Sequence, residues 1–334
     1  MESWGEPWNE GYKNLAKYIY EMLKHHMDIY VLTSKKIEAS PLKESDLIHI
    51  FNYTAPFHKF APLIVSRYRK PVVKHVAKKE LDLGIRTITR TLLNSTFVWN
   101  ALITTTDVLA REVRRLVKNK PVFYLPPPIP VNYFKKLHKD ACRELLGLEG
   151  DKTYVGYTGT LNEFRKLDVV LKALKLIDNK GERIELVLSL TNLTSNGLEL
   201  LKRAFASNRI TPNQYRLVNV KDVRIIYSAV DALIYPVERE GAVEPPLTVL
   251  EAMSCECIVI AYRNAITSNL LSDGYNGFLF SSTEDLVKIL RDLINRGPDE
   301  VIARNARKTV MDGYDPSMLR KSYVELYGKL ISGK

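Results

Sequence analysis

The sequence predicts an α/β protein of two Rossmann-like domains whose parallel sheets face a central cleft. Three observations carry that prediction. The 334 residues exceed what one core holds, because single cores stop growing at roughly 250–300 residues. Short apolar strands alternate with longer amphipathic helices, the pattern of a parallel sheet covered on both faces. A stiff proline cluster, Pro126–Pro130, divides the alternation in two. Tandem doubly wound sheets turn the carboxyl ends of their strands toward a shared crevice, where ligands of such folds bind.

In the first half, Ile29–Thr33, Leu47–Phe51, Pro71–Val76, Ala101–Thr105 and Pro121–Leu125 read as strands. Gly11–His25 reads as a helix, with Leu15, Ile19, Met22 and Leu23 on one face behind an Asn9 cap. The polar stretch after Pro130, with Lys135, Lys136, His138 and Lys139, reads as an interdomain linker, so the boundary falls at 130–150. The expected domains are 1–140 and 150–315. In the second half, strands are predicted at Thr153–Tyr157, Ile184–Leu190, Tyr215–Val220, Ala232–Tyr235, Ile258–Ala261 and Gly277–Phe280. Helices are predicted at 166–178, 195–206, 222–228, 246–254, 283–295, 299–311 and 316–331.

With 46% apolar and 26% charged residues the composition excludes disordered and fibrous classes. The net charge of +11 is unevenly spread. Residues 1–143 carry 24 Lys and Arg against 13 Asp and Glu, whereas 144–334 carry 25 against 25. A basic half suits a phospholipid surface, a lipid phosphate or nucleic acid; a merely solvated Lys-rich surface is the alternative. Cys142, Cys255 and Cys257 are too few for a disulfide framework, and the C-x-C pair lies in an apolar run that favours packing over metal binding. Met1–Trp8 is acidic and has no h-region, and no run reaches the 18 or so apolar residues of a membrane span. The expected location is the cytoplasm, with peripheral attachment at the inner face of the membrane, and the sequons at Asn52, Asn94 and Asn192 carry no weight.

Two segments carry chemistry. In Glu244-Pro-Pro-Leu-Thr-Val-Leu-Glu251-Ala-Met253, Pro245 and Pro246 suit a helix start, and the amides of Leu247, Thr248 and Val249 then face whatever lies ahead of the helix. Such an end accepts a diphosphate. Carboxylates accept strong hydrogen bonds from vicinal hydroxyls, and Glu251 lies two helical turns beyond Glu244 on nearly the same face. An ordinary amphipathic helix with a Pro-Pro start is the competing reading. The other segment, Tyr154-Val-Gly-Tyr-Thr-Gly159-Thr-Leu-Asn-Glu-Phe-Arg165-Lys166, is a strand that ends in glycines and leads to cations, a plausible phosphate cradle.

Together with Asp231-Ala-Leu-Ile-Tyr-Pro236 and Ser272-Asp-Gly-Tyr-Asn-Gly-Phe-Leu-Phe280, these segments resemble the signature region of glycosyltransferase family four, the retaining GT-B enzymes. The resemblance is strong over 153–331 and loose before it. It implies that Glu251 bonds the nucleotide ribose and that Gly159, Thr160, Arg165 and Lys166 form the diphosphate loop, with Thr160 where the family has Arg and Lys166 where it has glycine. The sugar-side glutamate is either Glu244, one position later than the family's spacing, or Glu240 with three extra residues. Glu256 and Ile258 replace the glycine and proline usual after the helix. In the first domain, Gly11 resembles the glycine loop near the sugar-donor phosphate, and His75 resembles a histidine near the sugar or the acceptor; a partly buried histidine bonded to backbone is the alternative. His49 reads as structural, and His25, His26, His58 and His138 as surface residues. The family's first strand is missing: either the native start lies upstream of Met1 or the sheet has lost an edge.

The resemblance further implies a hexosyl-type transferase that retains configuration, with a nucleotide diphosphate sugar as co-substrate and neither cofactor nor metal. It also implies a C-terminal helix within 316–334 that crosses back to the first domain. The basic first half then points to a glycan or lipid-linked acceptor at an anionic membrane surface, with Arg67–Lys70, Lys78, Lys79 and Arg111–Lys120 as the contacting clusters, and with a transferase implied by the resemblance, nucleic acid is not an expected partner. The rival readings are a nucleotide-sugar epimerase of the same fold and a non-catalytic binder of nucleotide sugar or nucleic acid.

Overall fold

The computed structural model describes residues 11–32, 39–51, 67–76, 99–148, 152–161, 165–178, 183–190, 195–238 and 243–333. The chain divides into two compact units. One comprises Met1–Pro130, Gly241–Leu247 and Tyr314–Lys334, and the other Val131–Glu240 and Thr248–Gly313.

The first unit contains β1 (Ile48–Phe51), β2 (Val72–His75), β3 (Ala101–Thr104) and β4 (Val122–Tyr124), all parallel and adjacent in that order. Because strand side chains alternate faces, the register Ile48↔Val72 and Phe51↔His75 sets Ile48, Ile50, Val72 and Lys74 on one face and His49, Phe51, Val73 and His75 on the other. The first face packs with Trp99, Leu102 and the apolar stripe of α3 (Asp107–Leu116), namely Leu109, Ala110 and Val113. That helix is locally encoded: Thr106 caps it by accepting from the Leu109 amide, Asp107 sits in its first turn, and Arg114 and Arg115 lie in its last. The second face meets Tyr323 and Tyr327 of α12 (Pro316–Ser332). Helix α1 (Gly11–Leu23) buries Leu15, Ile19, Met22 and Leu23 and packs on α12 and β1. The predicted strand at Ile29–Thr33 is not formed over its described residues, 29–32; they have no pairing strand and Tyr30 stands exposed. An apolar run becomes a strand only when a ladder partner takes up its backbone groups.

The second unit contains β5 (Thr153–Gly159), β6 (Ile184–Leu190), β7 (Tyr215–Leu217), β8 (Ala232–Tyr235), β9 (Ile258–Tyr262) and β10 (Phe278–Phe280). Their order is β10-β9-β8-β5-β6-β7, all parallel. Strand order therefore reverses between β5 and β8, the topological switch point of a Rossmann sheet. The strands are nearly continuous apolar runs, as burial on both faces demands. Helices α5 (Leu167–Asp178) and α10 (Thr283–Arg296) complete one core with Val155, Leu186, Ile234 and Ile260.

The stretch read as linker contains a helix, α4 (Lys139–Leu145), that belongs to this second unit. Buried Asp231 holds it: Arg143 Nη2 donates to both carboxylate oxygens at 3.0 and 2.9 Å, Lys139 Nζ donates at 2.6 Å, and the Tyr154 amide donates at 2.8 Å. Of the basic residues read as solvated linker, Lys139 thus joins Arg143 in neutralising a buried carboxylate, whereas Lys135, Lys136 and His138 stand exposed.

Candidate functional site

The sequence-predicted phosphate loop lies at the switch point. β5 ends at Gly159, whose φ of 123° is accessible to glycine, and a Cβ there would stand 3.1 Å from Arg165 Nη1. The chain after β5 is tied to the chain after β8: Arg165 bridges Val237, and the Lys166 amide donates to the Pro236 carbonyl at 2.7 Å. The Arg165 guanidinium stands 5.8 Å from the Tyr157 ring centroid and 6.0 Å from that of Tyr235, cation–π contacts that orient it. Thr160 is fixed through its carbonyl, which accepts from Tyr157 Oη at 2.8 Å. Lys166 is committed elsewhere: it pairs with Glu238 at 3.1 Å, and this hydrogen bond raises its pKa. Of the two predicted cations, Arg165 has no carboxylate partner among the described residues, and Lys166 shares its ammonium with Glu238.

The helix with the second signature is α8 (Leu247–Ser254). It connects β8 to its parallel neighbour β9, so it starts on the carboxyl edge of the sheet, the edge at which Gly159 ends β5. Helix geometry leaves the amides of Leu247, Thr248 and Val249 without intrahelical acceptors, giving that end a partial positive charge. Glu251 is buried and accepts from Tyr227 Oη at 3.2 Å. Burial, and then the Glu251 carboxylate, push the Tyr227 phenol well above its ordinary pKa, which keeps it a hydrogen-bond donor. The far end of α8 closes without glycine. Cys257 N bonds Ala252 O, Glu256 N bonds Met253 O, and Glu256 takes the left-handed conformation at φ 57°. Arg307 supports this turn by donating to the Ser254 and Phe134 carbonyls.

In the first unit, Glu244 is 3% exposed and lies three residues before α8; its peptide bond to Pro245 is cis. Gly11 opens α1 beside the same segment: a Cβ there would meet Val243 Cγ2 at 3.2 Å. The alternative sugar-side glutamate, Glu240, lies outside the described residues, as do Lys78 and Lys79. His75 ends β2 fully buried, and its partner is a side chain rather than backbone, His49 Nε2 at 2.7 Å from its Nδ1. Burial, and secondarily His49, hold His75 neutral, and burial pushes His49 down to about 3.

Sequence reasoning did not single out Tyr157, Tyr235, Tyr227 or Glu238 as site residues, and it read His49 as structural. Each acquires its place from a contact across strands or helices, and only Tyr157 carries a local signal, its bond to Thr160 three residues on. Cys255 and Cys257 are free and buried, with Cys257 pushed up to about 12 by burial, so neither offers a thiolate at neutral pH. Among the described residues no group of three His, Cys, Asp or Glu could hold a metal ion, and no helix is long and apolar enough to cross a membrane.

Comparison with solved structures shows the GT-B glycosyltransferase fold. HepE from Anabaena, solved with UDP and glucose, is 16% identical with a TM-score of 0.75, over 94% of this chain and 89% of that one. Sucrose-phosphate synthase from Thermosynechococcus elongatus is 16% identical with a TM-score of 0.71, over 97% and 79%. A glycosyltransferase from Rickettsia africae is 13% identical with a TM-score of 0.65, over 96% and 82%. No curated protein matches the chain. Residues 139–309, which include the switch-point loop and the whole of α8, match the family described as glycosyl transferases group 1, and the chain belongs to that family.

Proposed function

We propose that the protein transfers a hexosyl group from a nucleoside diphosphate sugar to a glycan or lipid-linked acceptor, with retention of configuration and without a metal. The observation that carries this reading is Arg165, held between Tyr157 and Tyr235 beside the glycine end of β5 at the switch point. As the sugar–phosphate bond breaks, negative charge grows on the departing diphosphate. A preorganised guanidinium and the α8 amides stabilise that charge more in the transition state than in the ground state. Glu251, oriented by Tyr227, accepts from the ribose hydroxyls. Glu244 or Glu240 takes the sugar side, Gly11 approaches the phosphate, and His75 meets the sugar or the acceptor.

HepE is solved with UDP-glucose, so UDP-glucose is the first sugar donor to test. A ligand at a hundred times its Kd stabilises a protein by about 2.7 kcal/mol. UDP-glucose or another nucleotide sugar is therefore expected to raise the Tm of the wild type and not that of Arg165→Ala or Glu251→Ala. Equal stabilisation of all three proteins would move the sugar-donor site away from the switch point. Product analysis in the absence of acceptor separates transfer from epimerisation.

The acceptor half of the reading rests on α3 and the residues after it, where Arg111, Arg114, Arg115, Leu116 and Lys118 are exposed together. Each such cation contributes about 1 kcal/mol near an anionic leaflet. Sedimentation with anionic vesicles at low salt should exceed that with neutral vesicles, and equal sedimentation would remove the membrane from the proposal.

A further inference from the structure

His75 does not stand alone. His49 Nδ1 lies 2.6 Å from Tyr327 Oη, and His49 Nε2 lies 2.7 Å from His75 Nδ1, so a tyrosine of the C-terminal helix reaches His75 through a second imidazole. Phe51 stacks on His75 at 4.7 Å and Tyr323 lies over it at 6.5 Å. His49 is only part-buried as a residue, yet both its ring nitrogens are committed to these partners.

A neutral imidazole has one N–H and one bare nitrogen, and a phenol has one hydrogen. The chain therefore runs in one of two directions. If Tyr327 O–H donates to His49 Nδ1, then His49 Nε2–H donates to His75 Nδ1, and the His75 proton sits on Nε2. In the reverse direction His75 Nδ1–H donates to His49 and His49 Nδ1–H donates to Tyr327. The phenolic hydrogen of Tyr327 then has no acceptor among the described residues, and His75 Nε2 is a bare lone pair. His75 Nε2 itself is buried with no partner among the described residues. The forward direction thus leaves one buried polar group unmet and the reverse leaves two, and unmet buried groups are what folding penalises. A further orphan, the buried Tyr323 Oη, comes from the ring stacked over His75.

We infer that Tyr327, acting through His49, holds His75 in the Nε2–H tautomer, so that His75 donates a hydrogen bond to an oxygen of the substrate and does not act as a base. The inference rests on the proposed placement of His75 at the sugar or acceptor. His49 and Tyr327 are positioning residues in it.

The test uses the full chain with 15N-labelled histidine and long-range proton–nitrogen NMR, which reads each ring's tautomer without substrate. The wild type is expected to show His75 protonated on Nε2. Tyr327→Phe removes the hydrogen that sets the direction, and His75 should shift toward the Nδ1–H form. His49→Gln keeps it on Nε2, because the amide accepts from Tyr327 with its oxygen and donates to His75 with its nitrogen. A wild-type His75 protonated on Nδ1, or a tautomer indifferent to Tyr327→Phe, overturns the inference. Turnover of UDP-glucose then tests the placement separately: Tyr327→Phe should lower kcat by about twofold where the two tautomers become equally populated and by about tenfold at most, the loss of one hydrogen bond to substrate, with nucleotide-induced thermal stabilisation unchanged. A shifted tautomer with unchanged kcat removes His75 from the site and so overturns the role inferred for it, while leaving the transferase reading standing.

Discussion

The two units build opposite electrostatic environments on the same scaffold, a parallel sheet. At the carboxyl edge of the second sheet, the Arg165 guanidinium lies near the ring faces of Tyr157 and Tyr235. On the first sheet, the end of β2 holds neutral His75 against His49 under Tyr323 and Tyr327, a buried chain in which the direction of hydrogen bonds replaces charge. Both adapt the edge at which parallel strands end. In the proposed function the first meets an anion whose charge grows during reaction, and the second meets an uncharged oxygen. The difference follows from what covers each strand end.

Four measurements test this contrast. The largest effect belongs to the scaffold of the second unit: Asp231→Ala leaves Arg143 and Lys139 facing a lost carboxylate, and removing one partner of a buried pair costs about 3–5 kcal/mol. Urea denaturation should show that loss. Arg165→Ala should leave stability nearly intact and lower kcat/KM by about 10²–10³-fold, equivalent to about 2.7–4 kcal/mol. Steady-state kinetics check it, and a loss in KM alone would mean that Arg165 binds the ground state and transition state equally.

The His49–His75 pair of the first unit predicts an acid response. The folded pKa of His49 is about 3 against an ordinary 6.5, so the unfolded chain binds the proton first as pH falls. Stability is complete above about 6.5 and declines between there and about 3, by at most about 1.4 kcal/mol per pH unit for this histidine. His49→Gln should flatten that slope in denaturation series from pH 7 to pH 4. The smallest effect is a gain. Glu256→Gly relieves a left-handed residue at the end of α8 and should stabilise by about 1 kcal/mol, reduced by the loss of the 4.0 Å contact with Arg307.

Elements with strong local codes were legible from the residues. β6 spans Ile184–Leu190, the predicted run, and α12 starts at Pro316 behind an Asp315 cap. The short α9 (Ala265–Leu270) was missed although Asn264 and Thr267 form a capping box, because six residues are too few for apolar periodicity to stand out. Helix α4 was missed because its cations looked like solvated linker until Asp231, far along the chain, was brought beneath them.

The candidate site divides the same way. The residue types at Gly159, Arg165, Lys166, Glu244 and Glu251, and the prolines that precede α8, can be read along the chain, because glycine freedom, side-chain charge and helix-end amides are local properties. Two parallel α/β units and a set of glycines, cations and carboxylates at defined positions are thus legible along the chain. The tertiary structure alone decided that strand order reverses between β5 and β8, and that Lys166 is taken by Glu238 while Arg165 is held between aromatic rings. It alone set His75 at the end of a hydrogen-bonded chain that begins on the last helix. Strand order and cross-chain contacts depend on which distant segments bury one another, and local periodicity does not encode that choice.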